Sequence, residues 1–468
     1  MPHHYKLFTS SSQYVFFTVG ISALAFGDIP YLYGLIGGIG MQGAFYYFAP
    51  ASLLLLISSC KNLYRHRMKS RYLYSMAIFF GWVLVGTIVN FSLIDENRLA
   101  GRSGIEQYIR QVGVILLGIT SLVVVVNKLE KFRGQLALER GLLISAILTF
   151  TFCLMQWFAS IHLPLFEGAT SLIGEFTRLT NAGSMLRISG FKPEPSVFSI
   201  WFALVYPSLL IGKFAELPFS RVRNLLLFIG VLIVFLSASR TAMIVFVVES
   251  LIIFLCSSRL FSGSGDGKYM KKFITVALIM LACVLILLLT KDASDFYITL
   301  NPIDVISGAL NIDNNSDNLN AESNIIRWGS LYAAFSVGLE NPIFGVGIGQ
   351  LPFNLVNHMP DWAIEWDGGR DPFTSLGLHT RVFAECGLIG FFLWIFLWFQ
   401  MIFRLLKDVL RGSSASTRFS MNNPIALLAS GCGLFICGLS SDSLALFEYW
   451  IFAGMVLSYF RFSDTRRL

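Results

Sequence analysis

Residues 224–256 read NLLLFIGVLIVFLSASRTAMIVFVVESLIIFLC. Two apolar stretches, Asn224–Ser239 and Thr241–Cys256, meet at Arg240 with almost no polar loop, and the only other charge is Glu249. This pattern predicts a tight membrane hairpin with a guanidinium at its tip. A guanidinium keeps its charge, and near a bilayer centre it costs about 2.5–3.5 kcal/mol, less toward the edge. A chain that bears this cost has a use for a fixed cation there.

The rest of the sequence has the same character. Of 468 residues, 55% are hydrophobic and 13% charged, with mean hydropathy +0.67, whereas a soluble globule carries roughly a quarter charged residues. Phe273–Thr290 runs without a charge, close to the roughly 20 residues that a spanning helix needs. The expected fold is an all-α polytopic membrane protein forming one transmembrane domain over 1–468. About twelve transmembrane helices are predicted, over 13–28, 43–60, 72–93, 109–127, 141–161, 195–212, 224–239, 241–257, 273–290, 383–403, 424–441 and 444–460.

Basic residues orient the chain. One set of connections holds 24 of the 35 Lys and Arg residues, which marks the cytoplasmic face and places both termini there. The net charge of +7 is then a topology signal with some attraction for anionic lipid, and it calls for no nucleic acid. The seven cysteines fall almost entirely in predicted spans, so no disulfide framework is expected. The first apolar run reads as an uncleaved span.

Two outer connections are long: 162–194 and the large periplasmic loop 291–378. The second opens acidic and Asn-rich, is predicted to form a helix near 324–338, and continues through Gly345-Val-Gly-Ile-Gly349 to an aromatic stretch from Trp362 to Arg370. A loop of this length is more often functional than incidental. The outer side holds Glu175, Arg178, Arg187, Lys192, Glu194, Arg240, Arg327, His358, Glu365, Arg370, His379 and Arg381. Chemistry is therefore expected on the periplasmic side.

Arg187, Arg240 and Arg327 each flank a predicted span or loop helix. Guanidinium forks match phosphate oxygens two at a time, so their convergence would suit a lipid-linked phosphate or pyrophosphate. The plainer alternative is a set of membrane anchors, or pairs with Glu175, Glu194 or Glu322. His379, read as opening the span 383–403, could take a proton from a hydroxyl; it could equally cap a helix or pack on Trp. Glu194, between Pro193 and Pro195, could act as a base, orient an Arg, or pair with Lys192. Glu249 lies within a span and has no assigned role. Gly38-Ile-Gly-Met-Gln-Gly43 matches a dinucleotide fingerprint in form only, since no strand precedes it. The histidines show no ligand spacing, and neither a metal nor any other cofactor is expected.

Ser237-Ala-Ser-Arg-Thr-Ala-Met243, Arg327 ahead of Asn341-Pro-Ile-Phe-Gly-Val-Gly347, and His379 followed by Glu385-Cys-Gly-Leu-Ile-Gly390 together resemble the O-antigen ligase and polymerase superfamily of bacterial envelope glycan assembly. The resemblance is specific over Arg187–Phe392 and architectural elsewhere. Thr380 departs from the pattern, where Asn often follows the His. The resemblance implies a C-type glycosyltransferase-like fold in the bacterial inner membrane. It implies metal-independent, inverting transfer of a glycan from undecaprenyl pyrophosphate, with Arg187, Arg240 and Arg327 on the pyrophosphate and His379 activating the acceptor hydroxyl. It also implies lipid-linked donor and acceptor, membrane lipids, a chain-length regulator and a flippase as partners. A polymerase would extend a lipid-linked repeat unit and a ligase would load lipid A–core. Gly190-Phe-Lys-Pro-Glu-Pro-Ser196 resembles the Glu-Pro-Ser element seen more in polymerases. The reading from a different class is a lipid-linked oligosaccharide flippase, with Glu194, Arg240 and His379 then lacking a catalytic role.

Overall fold

The computed structural model describes residues 3–26, 47–50, 71–99, 102–160, 168, 188–192, 194–211, 220–237, 239–261, 319–361, 363, 376–411, 423–441 and 446–465. In chain order these form α1 (His3–Ser22), α2 (Arg71–Val89), α3 (Phe91–Glu96), a two-residue hairpin β1 (Arg98–Leu99) and β2 (Arg102–Ser103), α4 (Gly104–Leu129), α5 (Phe132–Ser160), α6 (Pro195–Ile211), α7 (Ser220–Leu236), α8 (Arg240–Phe261), α9 (Leu319–Glu340), α10 (Leu351–Leu355), α11 (Leu378–Leu410), α12 (Pro424–Cys437) and α13 (Phe447–Thr465). By length and composition, Tyr72–Val89, Gly104–Leu129, Phe132–Ala159 and Leu378–Leu410 are long and apolar enough to cross a membrane. The chain is a multi-pass membrane protein.

Helix α6 is the hub. Every residue from Phe198 to Ile211 is buried, because α8 and α12 pack along it and α5, α7 and α13 also reach it. Around it α1 packs on α5, α4 on α13, and α11 on α2, α9 and α12. In a bilayer such contacts depend on close fit rather than on expulsion of water. Gly118 of α4 illustrates this, since a Cβ there would lie 2.1 Å from the Trp450 ring of α13. Outward faces stay apolar: Phe392, Phe396, Phe399 and Phe403 make an exposed stripe along α11, at the helical spacing that fits lipid contact.

Cross-ties define two ends of the bundle. At one end Lys128 Nζ donates to Gln13 Oε1 at 3.1 Å, Tyr459 Oη donates to Asp408 Oδ2 at 3.2 Å, Arg461 pairs with Glu130, and Arg404 lies 4.0 Å over the Phe460 ring. At the opposite end Thr241 Oγ1 donates to Ser440 Oγ at 3.0 Å, Asn90 Nδ2 to the Gly345 carbonyl at 3.0 Å, and Gln350 Nε2 to the Gly104 carbonyl at 2.9 Å. Among the described residues, Glu194, Arg240, Arg327 and His379 belong to this second end.

Several expected boundaries move. Span 72–93 stops at Val89 because Asn90 turns its amide back onto the Gly86 carbonyl (2.8 Å) and across to Gly345. The basic connection 128–140 is mostly helix: α4 and α5 are separated by Glu130 and Lys131 alone, and Gln135 Nε2 caps the Leu129 carbonyl at 2.8 Å. The loop helix expected near 324–338 extends over Leu319–Glu340. Only 47–50 of expected span 43–60 is described, and 273–290 lies outside the described residues.

The largest correction concerns span 383–403. Within α11, Gly387 has φ 68° and ψ −174°, a conformation essentially restricted to glycine. A Cβ there would lie 2.2 Å from the Ile343 carbonyl oxygen. The side chains of His379 and Trp394 nonetheless meet at 3.0 Å. On one continuous helix, fifteen residues would separate them by about 22 Å along the axis. The chain therefore doubles back at Gly387. Residues 378–386 form a short arm laid against 388–410, and His379 belongs to that arm rather than to the mouth of the span.

Candidate functional site

The segment before α6 is held at every turn. Gln156 Oε1 accepts from the backbone N–H of Ser189 (3.2 Å) and Gly190 (3.0 Å), and its Nε2 donates to the Gly190 carbonyl (3.2 Å). Lys192 is 1% exposed and reaches Glu448 Oε1 at 2.9 Å and the Leu24 carbonyl at 2.7 Å. The alternative that Glu194 pairs with Lys192 is thus replaced: Glu448 of α13 takes the lysine. Glu194 is left on the surface, where Ser196 Oγ donates to its Oε2 at 2.9 Å and Arg327 Nη2 of α9 stands 3.9 Å away. Its carbonyl also receives the N–H groups of Val197 and Phe198, at 3.1 Å each, which starts α6.

Arg240 is the first residue of α8 and is half-buried. Ser239 Oγ caps the helix by accepting from Ala242 N–H at 3.3 Å, and Thr241 ties α8 to the turn after α12. The same turn receives the start of α11: Leu378 N–H donates to the Gly438 and Ser441 carbonyls, both at 2.8 Å. Arg240 and His379 therefore flank one turn, Gly438–Ser441, while Glu194 and Arg327 face each other beside α6. Arg187 lies outside the described residues.

Both ring nitrogens of His379 are engaged. Trp394 Nε1 donates to Nδ1 at 3.0 Å, and Nε2 lies 2.9 Å from the Phe435 carbonyl. An indole N–H only donates and a carbonyl only accepts. The ring is therefore neutral, with Nδ1 bare and its proton on Nε2. Below it, Arg381 Nε binds Glu385 Oε1 at 3.0 Å and Arg381 Nη2 reaches Gln111 Oε1 of α4 at 3.2 Å. The glycine turn secures this arm, since Val346 N–H donates to the Ala384 carbonyl (2.9 Å) and Gly347 N–H to the Glu385 carbonyl (3.0 Å). His358, near α9, has the opposite surroundings: the Asn354 carbonyl (2.7 Å) and Glu340 Oε2 (2.8 Å) are both acceptors.

Glu249 stands apart from this end, in the body of α8. It is fully buried, and neither carboxyl oxygen has a hydrogen-bond partner among the described residues. Helix α12 passes so close that a Cβ on Gly433 would lie 2.1 Å from its Oε1.

Sequence reasoning named Glu194, Arg240, Arg327 and His379, but not Glu448 or Trp394 as partners. Trp394 had one signal, the two glycines of Gly387-Leu-Ile-Gly390, which permit a break. Glu448 had none, being 256 residues from Lys192.

The structure is thus a bundle with several apolar helices, at one end of which Arg240 and His379 flank the Gly438–Ser441 turn and Glu194 faces Arg327. Residues 225–395 match the family model described as O-antigen ligase. Over that stretch the chain is similar to the O-antigen ligase family, with Arg240, Arg327 and His379 inside the matched residues and Arg187 and Glu194 ahead of them. No curated protein matches the chain.

Proposed function

We propose that the protein is a bacterial envelope glycan polymerase of the inner membrane, with both termini cytoplasmic and its site on the periplasmic side. It transfers a growing glycan from undecaprenyl pyrophosphate onto a lipid-linked repeat unit. The acceptor hydroxyl oxygen attacks the anomeric carbon, the bond from that carbon to the pyrophosphate oxygen breaks, and the stereocentre inverts. The pyrophosphate leaves with the lipid and carries its own activation, so positioning and charge neutralisation suffice without a metal. Arg240 and Arg327, with Arg187, are the assigned pyrophosphate ligands. Glu194 and His379 are the two further side chains proposed to act on the reacting groups, one of them taking the proton of the acceptor hydroxyl.

The observation that carries this reading is the gathering of Glu194, Arg240, Arg327 and His379 at one end of the bundle. The Glu-Pro-Ser element at 194–196 favours a polymerase. The ligase reading is favoured by the description of the matching family. Purified protein given lipid-linked repeat units should yield a ladder of lengthening glycans. Product formed only once lipid A–core is added would identify a ligase. Movement of intact carrier between leaflets without any new glycosidic bond would identify a flippase. Arg240→Ala and Arg327→Ala should each abolish the ladder while the protein stays in the membrane; full activity in both would remove the assigned site.

A further inference from the structure

The hydrogen bonds around His379 have a consequence that rests on the transferase reading above. A ring whose Nδ1 accepts from Trp394 and whose Nε2–H donates to Phe435 has no lone pair free to take a proton. Nδ1 can gain one only after the indole leaves. The indole does not leave easily, because Trp394 stands on the same doubled-back helix as His379 and is packed by Phe79 at 5.7 Å and Trp398 at 6.0 Å between ring centroids. The Phe435 side is different. There the ring offers a proton, so any substrate oxygen taking the carbonyl's place receives a donor. An anionic phosphate oxygen suits a donor, whereas a hydroxyl that must lose its proton does not.

At the same end Glu194 offers the complementary chemistry. It is a carboxylate, more than half exposed, with an oxygen that accepts from Ser196 and sits 3.9 Å from the Arg327 guanidinium. A carboxylate only accepts when ionised, and acceptance is what the attacking hydroxyl requires.

We propose that Trp394 is a positioning residue that fixes His379 as an Nε2–H donor to the leaving pyrophosphate, so that the acceptor's hydroxyl proton passes to Glu194. Trp394 touches no substrate and acts through the ring. Among the described residues, the ionisable groups on the surrounding elements include Arg381, Glu385 and Cys386 on the arm itself, Cys432 and Cys437 on α12, Arg240 beyond Ser440, and Arg327, Tyr332 and Glu340 on α9. The described part of α2 packed on α11 brings Phe79 and Trp82, neither of which titrates.

The test uses the full-length protein in liposomes with lipid-linked repeat units, after confirming that the parent makes a ladder. A parent that makes none, with either acceptor, defeats the transferase reading itself rather than this assignment. His379→Gln keeps a donor near the Nε2 position and cannot serve as a base. It should retain at least about a tenth of the parent rate, whereas loss of a base costs about a hundredfold or more. Glu194→Gln should lose about a hundredfold. Trp394→Phe frees Nδ1, so the neutral ring shares its proton between both nitrogens and offers Nε2–H less often. Its rate at pH 8 should fall about two- to fivefold below its rate at pH 6, where the imidazolium donates from both nitrogens. The parent should show no activity loss centred near the usual histidine value, about 6.5, as pH falls. A merely structural tryptophan would lower the rate equally at both values. His379→Gln as inactive as His379→Ala, with protein folded, or a parent profile that loses activity through about pH 6.5, would overturn the assignment and return the base to His379.

Discussion

Removing Lys192 should unsettle the whole second end of the bundle. The ammonium and the Glu448 carboxylate are each 1% exposed, 2.9 Å apart, and the ammonium also holds the Leu24 carbonyl at 2.7 Å. The lysine binds Glu448 Oε1, and Oε2 has no hydrogen-bond partner among the described residues. Lys192→Met therefore leaves a buried carboxylate without its counter-charge and a buried carbonyl without its donor. Breaking one partner of such a pair costs about 3–5 kcal/mol, although the intact pair adds little net stability against an apolar pair of similar size. At about 2 °C per kcal/mol, the low end for larger domains, the apparent Tm should fall roughly 6–10 °C. The assay is thermal unfolding in detergent, followed by tryptophan fluorescence. The double variant Lys192→Met/Glu448→Leu removes both charges and should recover most of the loss. A single variant melting within about 2 °C of the parent, or a double variant no better than the single, would refute the reasoning.

Other expectations follow from the same geometry. Gly387→Ala forces a Cβ to 2.2 Å from the Ile343 carbonyl at φ 68°; it should cost at least about 3 kcal/mol from backbone strain and overlap, read as a lower melting temperature and faster proteolysis of residues 340–390. Arg240→Lys keeps the charge and loses the fork, so the ladder should shorten rather than vanish, as gel analysis of the product would show. His358 should be pH-sensitive: burial works against its charge, but the Asn354 carbonyl and the Glu340 carboxylate outweigh it and raise its pKa above the usual value. A raised value means the contribution is complete below about pH 6.5 and is lost as pH rises through the folded value. With Glu340 largely exposed, the effect is under about 1 kcal/mol. Hydrogen exchange over residues 351–358 should therefore quicken as pH rises, beyond its intrinsic dependence, and Glu340→Gln should remove that excess.

The helices were legible in the sequence wherever one apolar run stood between two polar edges. Gly104–Leu129, Pro195–Ile211 and Pro424–Cys437 follow hydropathy to within a few residues. Arg240 was legible because its charge interrupts such a run. What could not be read depends on the fold in three dimensions. The Lys192–Glu448 pair joins segments 256 residues apart, and no periodicity links them. Glycine in an apolar run reads as tolerated packing, so Gly387 and Gly390 permitted a break without showing that the chain reverses there, and the expected span 383–403 runs across it. The environment of His379 followed from that error, since Trp394 comes within reach only after the reversal.

The reversal also sets the imidazole and the indole side by side from one stretch of chain. The position of the ring proton is fixed by Trp394 from within α11, whereas the tie to α12 runs through the Phe435 carbonyl. The chemical polarity of the ring and its anchorage to the neighbouring helix therefore rest on separate contacts.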